Sequence, residues 1–164
     1  MAVNIIKSYN NIYKKINLIY MSEPQEEPES KNYSGYTFYL ENFFIRFRRA
    51  IKTPKKIGFF VTLWHKNKNK IIQPYDRNSC DYVIVCVKTN NKFGQFIFPA
   101  DMLAEKNILA TNKKGGKLAF RLYPPWIKPT SKQAIRTRKW QVEYFIDMTD
   151  VYDIDLGKAK QLFS

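Results

Sequence analysis

The middle of this chain alternates apolar and polar residues with the period of two that is typical of β-strands. Residues 36–40 and 43–49 are separated by only two residues, which predicts a β-hairpin. In its second strand, we expect one face to point toward the core with Phe43, Ile45 and Phe47. The other face is expected to point toward solvent with Phe44, Arg46 and Arg48. Further strands are predicted at 59–64, 81–88, 93–98 and 118–123.

Apolar residues at steps of three and four predict helices on either side of this strand-rich region. The first covers residues 3–20 and has one apolar face. A short helix at 100–106 follows Pro99, because proline suits the first turn of a helix. The last helix is predicted from Thr130 to about residue 147, since Thr130 and Gln133 have the spacing of a capping box.

These elements predict a single domain of the α+β class, with a central, mostly antiparallel sheet flanked by helices. Its parts are an N-terminal helix (1–22), an acidic linker with two prolines (23–32), a folded core (33–147) and an acidic, weakly structured tail (148–164). No window of about 18 apolar residues is present, so we expect no membrane span. Cys80 and Cys86 would lie too far apart on one strand to form a disulfide, which indicates reduced thiols and a cytoplasmic location.

The charge of the chain says more about its possible partners than its overall composition does. The 164 residues include 28 Lys and Arg against 14 Asp and Glu, a formal net charge of +14. Residues 30–140 alone hold 23 basic residues and only five acidic ones. A folded region this basic favours a polyanionic partner, with nucleic acid as the leading candidate. The alternative is a compositional bias without a role, as in the Lys- and Asn-rich stretch 66–70.

Basic residues interleaved with aromatic ones form three clusters that are candidates for contacting phosphates. The first cluster is Arg46, Arg48, Arg49, Lys52, Lys55 and Lys56. The second is Lys113, Lys114, Lys117 and Arg121, and the third is Lys132, Arg136, Arg138 and Lys139. If the three share one face, binding should depend steeply on salt.

Residues for catalysis are few. One histidine, His65, and two cysteines are too few for a zinc site or a convincing nucleophile and base pair. A metal-dependent nuclease needs acidic residues that converge on Mg²⁺. Asp81, at the start of a predicted strand, is the one acid in a suggestive position. We therefore expect no cofactor, with Mg²⁺ the candidate only if the protein is a nuclease.

Four segments, in order along roughly residues 30–147, resemble the MepB family: 47–58 (FRRAIKTPKKIG), 91–99 (NKFGQFIFP), 123–126 (YPPW) and 140–145 (WQVEYF). The resemblance implies a small bacterial protein, and some family members are encoded beside a multidrug efflux pump and its repressor. It also implies a fold similar to restriction-endonuclease-like, PD-(D/E)XK proteins.

Active members of that superfamily carry an Asp at the start of one hairpin strand and Glu-x-Lys on the next. Asp81 matches the first acid, but Gln95 stands in place of the second and Ile97 in place of the lysine, and Lys88 or Lys92 would have to substitute. The resemblance thus favours a nucleic-acid-binding relative of nucleases that does not cleave, with DNA favoured over RNA. Two alternatives stay open: a Mg²⁺- or Mn²⁺-dependent nuclease, and a small-ligand or protein-interaction domain associated with drug efflux.

Overall fold

The computed structural model describes residues 2–164, and a six-stranded sheet forms its centre. Over these residues the strands are β1 (Gln25–Glu26), β2 (Tyr36–Leu40), β3 (Phe43–Arg49), β4 (Ile51–Lys52), β5 (Phe59–Thr62), β6 (Trp64–Lys66), β7 (Ile72–Pro74), β8 (Tyr82–Lys88), β9 (Phe93–Pro99), β10 (Ala119–Leu122) and β11 (Phe145–Asp147). The helices are α1 (Val3–Ser8), α2 (Ala100–Glu105), α3 (Lys132–Gln141) and α4 (Leu156–Leu162). Helix α1 continues through a π-helical turn (Tyr9–Tyr13) and a 3-10 turn (Lys14–Ile16), and the chain leaves it at Asn17.

The central sheet has the order β1-β2-β3-β8-β9-β11. Strands β3 and β8 run parallel, whereas every other neighbouring pair in this sheet is antiparallel. A three-stranded sheet, β10-β5-β4, and the small β6-β7 hairpin complete the β-structure of the described residues. The α+β class with a mostly antiparallel sheet is therefore confirmed, and so is the hairpin of β2 and β3.

Both faces of the central sheet are buried. Along β8, Val83 and Val85 point into one hydrophobic core, and Ile84 and Cys86 point into the other. Helices α1 and α4 cover the second core, while α2, α3 and the β10-β5-β4 sheet cover the first. Burial on both sides explains why β8 is a continuous apolar run rather than an alternating one.

This two-sided packing makes one part of the hairpin prediction wrong. Phe43, Ile45 and Phe47 do face a core, as expected. Phe44, Arg46 and Arg48, however, face the other core instead of solvent, and the Arg48 side chain is 0% exposed. An arginine can occupy such a position only when a buried anion compensates its charge.

The predicted linker and tail also belong to the folded body. Within 23–32, β1 pairs with β2 and forms the edge of the central sheet, and Glu27 provides the buried anion. In the predicted tail, Ala159 of α4 and Phe163, the residue that follows this helix, pack into the core, so the expectation of weak structure from Asp150 onward is wrong. The Lys158 amine fastens α4 by donating to the carbonyl oxygens of Val142 and Phe145, at 3.1 and 2.7 Å.

The last long helix is shorter than predicted. Helix α3 ends at Gln141, and its N-cap is Ser131, whose hydroxyl accepts from the Ala134 amide, rather than Thr130. Residues 145–147 instead form β11, which pairs with β9. Among residues 2–164 no helix has the length and apolar character needed to cross a membrane.

Candidate nucleic-acid interface

Helix α3 is fixed across strand β10 by one buried side chain. Gln141 is 0% exposed; its Oε1 accepts from the Tyr123 amide and its Nε2 donates to the Arg121 carbonyl, each at 2.9 Å. Because both groups of the amide are bonded to backbone, the two elements keep a fixed separation. They form the walls of a cleft.

The cleft between the end of α2, strand β10 and helix α3 has a volume of about 320 Å³, and we call it the α3 cleft. Three basic residues from two parts of the chain line it: Lys106 after α2, and Lys117 and Arg121 at β10. The rest of its lining is neutral: Ile108, Phe120, Tyr123, Ser131, Gln133, Ala134, Thr137, Trp140 and Gln141. Acidic residues are absent from this lining, so the cleft is cationic.

Aromatic rings and backbone groups position the basic residues of the cleft. The Lys106 amine lies 5.5 Å from the centre of the Trp140 ring, within the range of a cation–π contact. The Arg121 guanidinium lies 5.6 Å from the Phe60 ring and donates to the Thr53 hydroxyl at 2.8 Å. Arg121 therefore joins the α3 cleft to the loop that follows β4.

Ion pairs neutralise few of the basic residues. Among residues 2–164 the pairs are Arg46 and Arg48 with Glu27, and Arg77 with Asp101. Every other Lys and Arg side chain of the described chain lacks a carboxylate within salt-bridge distance. Lys106, Lys117 and Arg121 are therefore not ion-paired.

The first predicted cluster divides into a buried part and an exposed part. Glu27 accepts from Arg46 at 3.0 Å and from Arg48 at 2.9 Å, and the Tyr75 hydroxyl donates to it at 2.6 Å. Burial alone would raise the pKa of the Glu27 carboxyl, but the two arginines and Tyr75 outweigh this effect, so the pKa is lowered. The exposed residues of the cluster are Arg49, Lys52, Lys55 and Lys56.

The second cluster divides between two concave sites. Lys117 and Arg121 line the α3 cleft, whereas Lys113 lines a separate pocket that also contains His65. The Lys113 backbone amide donates to the Asp76 carboxylate at 2.9 Å, which holds the loop in place. Lys114 is exposed beside it.

In the third cluster, Arg138 has a structural position. Its guanidinium donates to the carbonyl oxygens of Ile127 and Pro125, at 2.8 and 2.7 Å, and so braces the proline turn. Lys132, Arg136 and Lys139 are exposed along α3 at steps of four and three, so they form one stripe on its surface.

The structure does not bring Asp81, Gln95 and Lys88 together. Asp81 precedes β8, and its Oδ2 accepts from the Phe44 amide at 2.7 Å. Lys88 ends the same strand, about 23 Å away at ~3.3 Å per residue. Gln95 is fully buried beneath the N-terminal helical segment, where it accepts from the Tyr13 hydroxyl at 3.0 Å.

The carboxylates present do not fit a divalent metal centre. Asp81 and Asp101 line one cleft of about 680 Å³, but Asp101 is paired with Arg77 and Asp81 is bonded to backbone. No group of three or more His, Cys, Asp or Glu residues within 2–164 is arranged to hold a metal ion. A nuclease-type Mg²⁺ site needs at least two free, converging acids.

Two residues of this region were missed from sequence. In the sequence, Lys106 is the last residue of a predicted helix and follows Glu105. Only the folded structure shows that it lines the same cleft as Lys117, which precedes β10. Glu27 looked like one of several acids in a linker. No local pattern distinguishes it, because its partners lie about 20 residues further along the chain.

Comparisons with known proteins agree on the family. The MepB-like family model matches residues 27–147. The crystal structure of MepB is 34% identical and superimposes with a TM-score of 0.77, covering 92% of this chain and 99% of that one. A search of curated proteins found no significant match.

A bacterial homing endonuclease structure matches more remotely. Its identity is 13% and its TM-score 0.43, over 82% of this chain and 86% of that one. A likeness this remote carries no argument about activity. The family model and the MepB structure together span most of the chain, and this chain therefore belongs to the MepB-like family.

Proposed function

We propose that this protein binds nucleic acid through the α3 cleft and the exposed lysines around it, without cleaving the strand. The observation that carries this proposal is the convergence of Lys106, Lys117 and Arg121 in one cleft with no acidic residue in its lining. Phosphate oxygens are the natural partners of such a group, because each contact releases a condensed counter-ion. Further exposed basic residues lie in the stripe on α3 and in the loop after β4, which Arg121 contacts at Thr53.

Several features support binding to the phosphate backbone rather than to a small anion. Lys132 and Arg136 are exposed on α3 and are chain neighbours of residues that line the cleft. The hydroxyls of Ser131 and Thr137 line it as well, and such groups commonly contact phosphate and sugar. A strand that crosses this surface would meet several positive charges in succession.

The absence of cleavage is part of the proposal and rests on where the candidate catalytic residues lie. Asp81 is bonded to the Phe44 amide, and Gln95 is closed off from solvent beneath Tyr13. Gln95 is fully buried, and Asp81 lines a different cleft from Lys106, Lys117 and Arg121. We expect the protein to act in the cytoplasm, where the buried thiols of Cys80 and Cys86 stay reduced.

The test is the salt dependence of binding, measured by fluorescence anisotropy with labelled single-stranded DNA, double-stranded DNA and RNA. We expect log K to fall linearly with log salt concentration. The variant Lys106→Gln/Lys117→Gln should bind more weakly to every sequence, and its slope should be shallower by roughly 1.5, as expected for two lost phosphate contacts.

A matched control removes the same charge from the opposite side of the molecule. Lys14 and Lys15 are exposed on the helical segment that covers the other face of the central sheet. Lys14→Gln/Lys15→Gln should leave the slope unchanged. Equal losses in both double variants would show a non-specific effect of net charge and would overturn the assignment of the cleft.

A further inference from the structure

A second concave site lies on the other side of the loop 107–117. This pocket has a volume of about 430 Å³, within the range of small-molecule sites. We call it the His65 pocket; its walls include Arg46, His65, Gln73, Tyr75, Asp76 and Ser79. It therefore combines flat groups with several polar ones.

The flat groups form a stack. The rings of His65 and Tyr75 are 4.6 Å apart and nearly parallel, at 24°. The Arg46 guanidinium lies 3.7 Å from the centre of the Tyr75 ring. Because His65 is half-exposed, the stack can be extended by a further planar ring at the pocket.

The polar groups of the pocket have unused hydrogen-bonding capacity. Across residues 2–164, three buried side-chain polar atoms have no hydrogen-bond partner, and two of them, Arg46 Nε and Ser79 Oγ, belong to this wall. These two residues also contact each other, since Arg46 Nη2 donates to the Ser79 carbonyl. Such unsatisfied groups are costly, so an acceptor that entered the pocket would be stabilised by bonding to them.

The His65 ring has a defined role in hydrogen bonding as well. Its Nε2 lies 3.4 Å from the amide nitrogen of Gln73. An amide nitrogen can only donate, so this contact requires His65 Nε2 to accept. This contact and the stacking on Tyr75 position the His65 ring in the pocket wall.

The loop 107–117 joins this pocket to the α3 cleft. Ala110 and Lys113 line the pocket, while Ile108 and Lys117 line the cleft. Gly116 allows the loop to lie this close: its φ is 88°, and a Cβ there would be 2.7 Å from Pro74. The same loop therefore contributes residues to both sites.

We propose that the His65 pocket binds a single unstacked nucleobase, which stacks on His65 while its polar edge accepts from Arg46 Nε and Ser79 Oγ. This proposal rests on the proposed function, because it assigns the pocket to a base of the same strand. Neither donor is exposed to solvent, so the wall would adjust around the entering base. The ligand class is the planar nucleobase, free in a nucleoside or carried by a strand.

The test uses the fact that the chain has one histidine. In a ¹⁵N NMR spectrum, the imidazole signals of His65 report on the pocket without ambiguity. Titration with adenosine, guanosine, cytidine and uridine should shift these signals saturably for at least one nucleoside, whereas ribose 5-phosphate should not shift them. No shift with any of the four would overturn the proposal.

Two variants separate binding from folding. Ser79→Ala removes an unpartnered buried hydroxyl, so its melting temperature should be unchanged or higher, while its nucleoside affinity falls. His65→Ala should weaken binding of a short single-stranded oligonucleotide roughly tenfold, the usual loss of one stacked base, but leave binding of an abasic strand of equal length unchanged. Unchanged affinity for the base-containing strand, or an equal loss for both strands, would contradict base recognition.

The two proposals can fail separately. If oligonucleotides bind with the expected salt slope but nucleosides leave His65 unmoved, the pocket assignment fails and the proposed function stands. If nucleosides shift His65 but no nucleic acid binds at low salt, the proposed function fails and the pocket remains a site for free nucleosides.

Discussion

Replacing Glu27 by glutamine should destabilise the folded protein by about 3 kcal/mol. Glu27 is the shared anion of Arg46 and Arg48, and the Arg48 side chain is 0% exposed. Removing one partner of a buried ion pair leaves the other charge desolvated and uncompensated, which typically costs about 3–5 kcal/mol. Glutamine keeps one acceptor oxygen, so the lower end of that range applies. For a chain of this size, the melting temperature should fall by roughly 6–12 °C.

The assay is urea and thermal unfolding followed by circular dichroism, with Glu26→Gln as the matched control. Glu26 is the neighbouring residue in β1 and is exposed, so its variant should stay within about 0.5 kcal/mol of the wild type. Adding Arg48→Met to Glu27→Gln should recover part of the loss, because the buried charge that lacks a partner is then removed as well.

Two results would refute this reasoning. The expected loss is about 3 kcal/mol. If the free energy of unfolding of Glu27→Gln instead lies within about 1 kcal/mol of the wild-type value, the ion pairs of Glu27 with Arg46 and Arg48 do not hold the linker to the core. If Arg48→Met deepens the loss caused by Glu27→Gln, the cost does not come from an uncompensated charge.

Three further predictions concern protonation and buried polar groups. Folding lowers the pKa of the Glu27 carboxyl below its usual value of 4.5. The ionised carboxyl therefore stabilises the fold above pH 4.5, and this stabilisation is lost as the pH falls through the folded pKa. Acid unfolding monitored by fluorescence should be less pH-dependent in Glu27→Gln. Burial raises the pKa of Cys80 to about 11 and that of Cys86 to about 12, so mass spectrometry should find both thiols unreactive toward iodoacetamide until urea unfolds the chain. Gln95→Glu places an acid on β9 and should lower the stability of the fold, because it buries a charge beneath Tyr13. The variant should show no Mg²⁺-dependent cleavage of plasmid DNA, and cleavage would contradict the position assigned to Gln95.

The parts of the fold that follow from local pattern were predictable. The β2–β3 hairpin has two alternating runs and a two-residue connection, so its strand bounds agree with the prediction. The start of β8 and the position of α2 also follow from β-branched runs and from Pro99. In each case the decisive information lies within a few residues.

The parts that depend on distant contacts were not predictable. Arg48 alternates with apolar neighbours as a solvent-facing residue would, and only Glu27 makes its burial possible. Residues 145–147 continue a helical pattern, yet pairing with β9 makes them a strand. Tertiary packing overrides local preference at such positions.

The site shows the same division. The basic clusters found in the sequence already included Lys117 and Arg121. Only the fold shows that Lys106 lines the same cleft. Conversely, Arg48 and Arg138 are structural in position, because buried or backbone partners take up their guanidinium groups. A basic sequence run does not reveal which of its charges are free.

Lysine footprinting tests the central claim most directly. The protein is acetylated with and without bound oligonucleotide, and mass spectrometry measures the protection of each lysine. We expect bound oligonucleotide to protect Lys106, Lys117 and Lys132 from acetylation, and Lys14 and Lys15 to be equally modified in both samples. Protection of Lys14 and Lys15, with Lys106 and Lys117 left unprotected, would contradict it.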